Sequence, residues 1–238
     1  MGMIDIHTHV LPGIDDGSRD LRTSMRMLMM AYKYGTRRVI ATPHFRGDRY
    51  TATPDQIYRL TEQLNENIQT VGLQDLKVYP GNEILYDSRT SRYLREGRVL
   101  GLADTTYALI EFMPYVAEEE VRRAVMDICM SGFRPVIAHV ERYDQLEMDP
   151  DILYDLREQG ARIQINASSL EGKVKRRILR TMKEGLIDFV ASDGHGLEHR
   201  PMILGQNRRY IEKKLGTEAA RDLYCCNAGE ILAESPYR

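Results

Sequence analysis

The chain contains no tryptophan, only four phenylalanines and only three cysteines. Cys129, Cys225 and Cys226 cannot build a disulfide framework, and the adjacent pair would bridge to itself only with strained geometry. They read as reduced, structural thiols of an intracellular protein. No stretch approaches the roughly 18 apolar residues of a membrane span, and the N-terminal MGMIDIHTHV passes into strand-like sequence without a signal-peptide pattern. The expectation is a cytoplasmic protein, not an integral membrane one. With a net charge of −2 and a pI near 6.3 there is no global basic surface, so nucleic acid is not an expected partner.

What the chain does have is a repeating α/β pattern. Its 238 residues, 42% of them hydrophobic, suit one domain spanning 1–238. Short Val- and Ile-rich runs recur at Met3 to Ile6, Arg38 to Ala41, Lys77 to Tyr79, Tyr107 to Ile110, Pro135 to Ala138, Arg162 to Ile165 and Asp188 to Ala191. Between most of them lie amphipathic segments closed by glycine, the signature of βα units around a parallel sheet. The segment from Pro54 opens with Thr53 as N-cap and Gln56 three residues on, a capping box.

The polar residues that follow these runs carry the chemistry. His7 and His9 follow the first, His44 the second, Glu83 the third, Glu111 the fourth, His139 the fifth, and Asp193 and His195 the seventh. In a parallel barrel the C-terminal strand ends converge on one face, so residues far apart in sequence become neighbours there. A single histidine at a strand end is most often structural. Five of the chain's six, interleaved with carboxylates, point instead to a divalent-cation site. His7 and His9, two apart on a strand, project to one side. The DDG segment at Asp15 to Gly17 reads on its own residues as a turn followed by helix capping, and Asp16, more than Asp15, becomes a candidate ligand mainly through the resemblance described next.

Taken in order, DIHTH, DDG, ATPH, GNE, LIEF, VIAHVERY and ASDGH resemble the PHP family, named for its polymerase and histidinol phosphatase members, and the likeness runs along essentially the whole chain. Together with the QINASS segment at 164–169 and the Arg200-Pro201 pair, these motifs are similar to the bacterial, manganese-dependent tyrosine-phosphatase branch of capsule and exopolysaccharide control. The resemblance implies a distorted, TIM-like (β/α)7 barrel with three divalent ions, Mn2+ by the branch and Fe2+ or Zn2+ by ligand chemistry alone. Its ligands carry over to His7, His9, Asp16, His44, Glu83, Glu111, His139, Asp193 and His195. By analogy His7, His9, Glu83 and Asp193 form one site, Glu83, Glu111 and His139 a second, and Asp16, His44 and His195 the third. Arg142 and Arg200 carry over as phosphate-binding, catalytic residues. Arg46 and Arg49 read as exposed loop charges. His199 stands where the branch has a small residue.

The implied reaction is hydrolysis of a phosphotyrosine monoester by a hydroxide bridging the cations. Its expected substrate is a bacterial tyrosine autokinase of polysaccharide export. A tyrosine leaving group, with a pKa of about 10, asks little of a general acid. Cysteine-based phosphatase chemistry is not expected, since Arg134 stands one place too near Cys129 for a phosphate-binding loop. The principal alternative is a small-molecule phosphatase of the same family, such as a histidinol-phosphate phosphatase. An amidohydrolase would want a bridging lysine where Glu83 and Glu111 stand, and a silent kinase-binding protein would not need an intact ligand set.

Overall fold

The structure is a computed structural model describing every residue except 1, 48, 147 and 238. All ladder pairings between its named strands are parallel. In chain order the elements are β1 (Met3–Thr8), α1 (Leu21–Lys33), β2 (Thr36–Ala41), β3 (His44–Phe45), α2 (Pro54–Thr70), β4 (Lys77–Tyr79), β5 (Glu83–Leu85), α3 (Thr90–Arg95), β6 (Tyr107–Glu111), α4 (Glu118–Met130), β7 (Arg134–Ile137), α5 (Pro150–Glu158), β8 (Arg162–Asn166), α6 (Lys175–Lys183), β9 (Phe189–Ala191), α7 (Arg208–Leu215), α8 (Thr217–Arg221) and α9 (Asn227–Glu234). A π-helical stretch, Asp222–Cys226, joins α8 to α9.

The strands form two ladders, β1-β2-β4 and β3-β5-β6-β7-β8-β9. Pro43 separates β2 from β3, and Pro80 with Gly81 separates β4 from β5, so each pair is one interrupted stave. The circle therefore has seven staves, matching the seven hydrophobic runs. It closes between β9 and β1 through one isolated bridge, Thr8 to Gly194, and two backbone hydrogen bonds, His9 N to Gly194 O at 2.9 Å and Asp193 N to His7 O at 3.0 Å.

Alternation sorts side chains between the barrel interior and the helix layer. Along β6, Tyr107 and Leu109 belong to the inner cluster with Ile4, Ile6, Val136, Ala138 and Phe189, while Ala108 and Ile110 pack outward with Val121, Val125 and Ile128 of α4. Glu111 continues the inward parity at the strand's end. In β1 the parity changes. Asp5 pairs with Val39 and Thr8 with Ala41, three steps against two, so a bulge lies between them. Such an insertion re-aims the side chains beyond it: His7 and His9 enter the interior although Ile6, the residue before His7, also faces inward.

Candidate metal centre

The C-terminal strand ends bring all nine candidate side chains together. Groups of potential ligand atoms within 4.8 Å of one another are His7, His9 and Glu83; His7, His139 and Asp193; His44, Glu83 and Glu111; and His9, Asp16, His44 and His195. Glu83 is central, and β3 and β5 align in register so that His44 and Glu83 are direct partners. The Glu83 carboxylate lies 3.2 Å from both His7 Nε2 and His9 Nε2 and 2.8 Å from both His44 Nδ1 and His139 Nε2. The grouping differs from the family analogy: His139 falls with His7 and Asp193, His9 also joins Asp16, His44 and His195, and His44 takes the place beside Glu83 and Glu111. His44 sits nearer Glu111, at 3.5 Å, than does His139, at 3.9 Å.

Three neighbours fix the imidazoles. Gln164 Oε1 accepts from His7 Nδ1 at 3.1 Å and from the His139 backbone N–H at 2.8 Å. Asp15 Oδ2 accepts from His9 Nδ1 at 2.7 Å and from His44 N at 3.1 Å, and Asp15 Oδ1 accepts from Gly17 N at 3.0 Å. The Asp193 carbonyl accepts from His195 Nδ1 at 3.0 Å. These bonds hold the proton on Nδ1 and leave Nε2 toward the centre. Asp15 is therefore a buried positioning residue rather than a plain turn residue. Gly17 is required beside it, because a Cβ there would meet the His9 carbonyl oxygen at 2.2 Å.

The centre fits cations on direct observation. His7 and His9 present Nε2 atoms 3.3 Å apart, a pair that must share a proton or a cation. Glu83 Oε2, Asp193 Oδ1 and His44 Nδ1 are buried, and although His44 Nδ1 approaches Glu83 Oε2 to 2.8 Å, none of the three has a partner in hydrogen-bonding alignment. A donor set of imidazoles and carboxylates with unspent lone pairs aimed at one space suits borderline divalent ions. Electrostatics agree. Burial alone would push the Glu83 and Asp193 carboxyls up, yet the surrounding histidines hold both well below the usual range. Burial would likewise push His7 and His9 down, and Glu83 with Asp193 at His7, and chiefly Asp15 at His9, raise them instead. Burial, with His9 and Arg200, brings His195 down to about 3, so it stays a neutral imidazole.

Arg142 and Arg200 converge on Asp193 Oδ2, Arg142 at 2.8 Å, and are 38% and 37% exposed. Asn166 Nδ2 donates to the same oxygen at 2.8 Å. Three residues here adopt left-handed backbone, His139 at φ 30°, Asp193 at 52° and Arg200 at 52°, conformations that cost energy and cluster at functional sites. On the opposite side Arg46 is no loose loop charge. Its guanidinium donates to both Glu111 oxygens, at 3.2 and 3.1 Å, and Tyr50 stacks on the His44 ring at 5.7 Å. Sequence reading missed Gln164 and Tyr143, whose hydroxyl lies 3.4 Å from His139 Nδ1. The Gln164 side chain, a polar group of inward parity within an apolar strand, was the available signal. His199 is exposed and lines, with Asp16 and His195, an open cleft of about 600 Å3.

Comparison with known proteins agrees with this geometry. A tyrosine-protein phosphatase of Bacillus subtilis, YwqE, is 37% identical over 224 residues, spanning 91% of this chain and 86% of the relative. A solved structure described as YwqE from Bacillus subtilis and CpsB from Streptococcus pneumoniae, unique metal-dependent tyrosine phosphatases, superposes with a TM-score of 0.85 at 36% identity, covering 92% of this chain and 90% of that one. A histidinol phosphate phosphatase of Lactococcus lactis shares the fold at a TM-score of 0.60 and 13% identity, over 89% and 94% of the two chains. The profile of the capsular polysaccharide synthesis family CpsB/CapC matches residues 3–233, and the chain belongs to that family.

Proposed function

We propose that this protein is a metal-dependent protein tyrosine phosphatase, a single PHP-type domain acting in the cytoplasm on a tyrosine autokinase of capsule or exopolysaccharide synthesis. The observation that carries the reading is the convergence of five imidazoles and four carboxylates, with buried, unpartnered oxygens, beside two half-exposed arginines. His7, His9, Asp16, His44, Glu83, Glu111, His139, Asp193 and His195 would hold three divalent ions, with Mn2+ favoured by the family. When bound, such ions supply Lewis acidity and lower the pKa of water.

The chain's own groups do the rest. Asp15 and Gln164 keep the His9 and His7 tautomers that leave lone pairs inward. Asp193 Oδ2 anchors both arginines side by side, and their remaining N–H groups form a fork for the phosphoryl oxygens. A phenolate leaving group, with a pKa of about 10, departs without a dedicated acid. The positive balance of cations and arginines selects a phosphate dianion within a mildly acidic protein. The same cations would serve a histidinol-phosphate phosphatase, but the relatives of high identity are tyrosine phosphatases and the histidinol phosphatase shares only the fold.

The test is metal analysis of the purified protein, with kcat/KM measured on a phosphotyrosyl peptide and on histidinol phosphate for wild type and His44→Ala. Metal-dependent peptide hydrolysis, lost in the variant, is expected. Undiminished turnover after metal stripping or in His44→Ala would sink the mechanism, and a preference for histidinol phosphate would reverse the substrate.

A further inference from the structure

A local excess of cations over acids in this mildly acidic chain lies on one side of the barrel. Residues 173–183 read KVKRRILRTMK, with six cations and no acid, and residues 208–214 read RRYIEKK, with four cations and one acid. The two segments carry ten of the 33 Lys and Arg residues but one of the 35 Asp and Glu, in a protein of net charge −2. The rest of the molecule is correspondingly acidic.

The structure puts these segments next to each other. Lys175 Nζ lies 3.9 Å from the centroid of the Tyr210 ring, and Lys214 Nζ lies 5.8 Å from it. The turns leading into α6 and α7 are joined by Asn207 Nδ2 donating to Ala167 O at 2.9 Å and Gln206 Nε2 to Glu171 Oε1 at 2.7 Å. Ile178, Thr181, Met182 and Ile211 are buried, which turns the charged positions of both helices outward. Arg180 and Arg208 are paired with Glu184 and Glu212. Lys173, Arg176, Lys183, Arg209 and Lys213 are exposed, and among the described residues none forms an ion pair with a carboxylate.

We propose that the α6–α7 face docks the protein on an anionic membrane surface. The chemistry selects a broad sheet of negative headgroups over the other polyanions. The cations are spread across two adjacent helices on the outside of the barrel, a breadth that an anionic headgroup surface matches, with each cation near it contributing about 1 kcal/mol. Every large apolar side chain of α6 is turned to the core, so contact is electrostatic adsorption rather than insertion. Tyr210, the aromatic residue of the patch, has a lysine over its ring and offers no stacking platform for nucleic-acid bases. The face also meets the rim of the metal centre, because Arg200 shares a small cleft of about 180 Å3 with Ala167, Gln206 and Asn207 at the heads of the two helices. Adsorption by this side leaves the mouth of the barrel beside the bilayer, within reach of a substrate held there.

The test compares full-length wild type with the quadruple variant Lys173→Glu, Arg176→Glu, Lys183→Glu, Lys213→Glu. Cosedimentation is measured with phosphatidylcholine vesicles that contain or lack phosphatidylglycerol. Wild type is expected to bind only the anionic vesicles at low salt and to dissociate as ionic strength rises. The variant's partition should fall by roughly a hundredfold or more, with its melting temperature and its hydrolysis of a small aryl phosphate unchanged. The salt dependence of wild type supports the assignment even should the variant fold poorly. Absence of wild-type binding to anionic vesicles, equal binding by a folded variant, or patch-dependent retention on polyglutamate or duplex DNA without vesicle binding would each overturn it.

Discussion

Replacing Asp15 with Asn changes a single oxygen to nitrogen and tests whether the metal centre depends on an imposed imidazole tautomer. Asp15 accepts three hydrogen bonds, two of them on Oδ2 from His9 Nδ1 and His44 N. An amide nitrogen at Oδ2 would face the His44 N–H and demand that His9 Nδ1 become the acceptor, moving the proton to Nε2 and closing the lone pair that faces Glu83. The opposite flip sets the amide against the Gly17 N–H instead. Although burial raises it, Asp15 is brought down to about 2 from 3.8, chiefly by His9. A depressed carboxylate contributes stability that is present above the unfolded pKa and is lost as pH falls through the folded one. At neutral pH that contribution is about 2 kcal/mol, or roughly 4 to 8 °C in melting temperature for a chain of this size. The metal-stripped Asp15→Asn protein should melt lower by about that much. Its Mn2+ activation curve should move to roughly 10- to 100-fold higher concentration, with activity returning in excess metal. An unchanged melting temperature together with an unchanged activation midpoint would refute the role given to Asp15.

Gln164→Leu should be more damaging, because it leaves His7 Nδ1 and the buried His139 N–H without an acceptor. A loss of about 2 to 4 kcal/mol in denaturant unfolding is expected, and a near-wild-type midpoint would contradict it. In Arg142→Ala, Asp193 Oδ2 still accepts from Arg200 and Asn166, so the fold should hold while kcat/KM on a phosphotyrosyl peptide falls roughly 10- to 100-fold. Arg142→Lys should not restore it, since an ammonium cannot replace a planar fork. Because the folded pKa values of His7 and His9 are raised, their stabilising charge is present below the unfolded value of about 6.5 and lost as pH rises through the folded values. Chelated protein should therefore lose melting temperature with rising pH over that window. Metal affinity should gain, because binding displaces those protons, and calorimetry in buffers of different ionisation enthalpy would count them. A pH-independent affinity would exclude the protonated pair.

The seven staves were legible because most are Val- and Ile-rich runs followed by a glycine-closed helix, and the site was legible because its polar residues fall where those runs stop. The helix from Pro54 has both reciprocal bonds of the capping box that its sequence specifies. Other features depend on spatial neighbours. Nothing in IDIHTH announces the bulge that aims His7 inward, since strict alternation would set it opposite Ile6. The interruptions at Pro43 and Pro80 hid the fact that His44 and Glu83 belong to short strands in register. Arg46 reads as a solvated loop charge until Glu111 is placed beside it, and Asp15 as a turn former until His9 is. Helix α3 was missed because six residues are too short for periodicity to declare itself.

The seam between β9 and β1 gives the centre a mechanical role. There the barrel is joined by one isolated bridge and a few hydrogen bonds, while Asp193 and His195 stand on one side and His7 and His9 on the other, with His7 Nε2 3.4 Å from Asp193 Oδ1. Ions held by these residues would act as a clasp on the least-laced joint of the cylinder. Loss of metal would then loosen this joint first, and amide exchange at His9 and Asp193 would quicken before exchange elsewhere in the sheet.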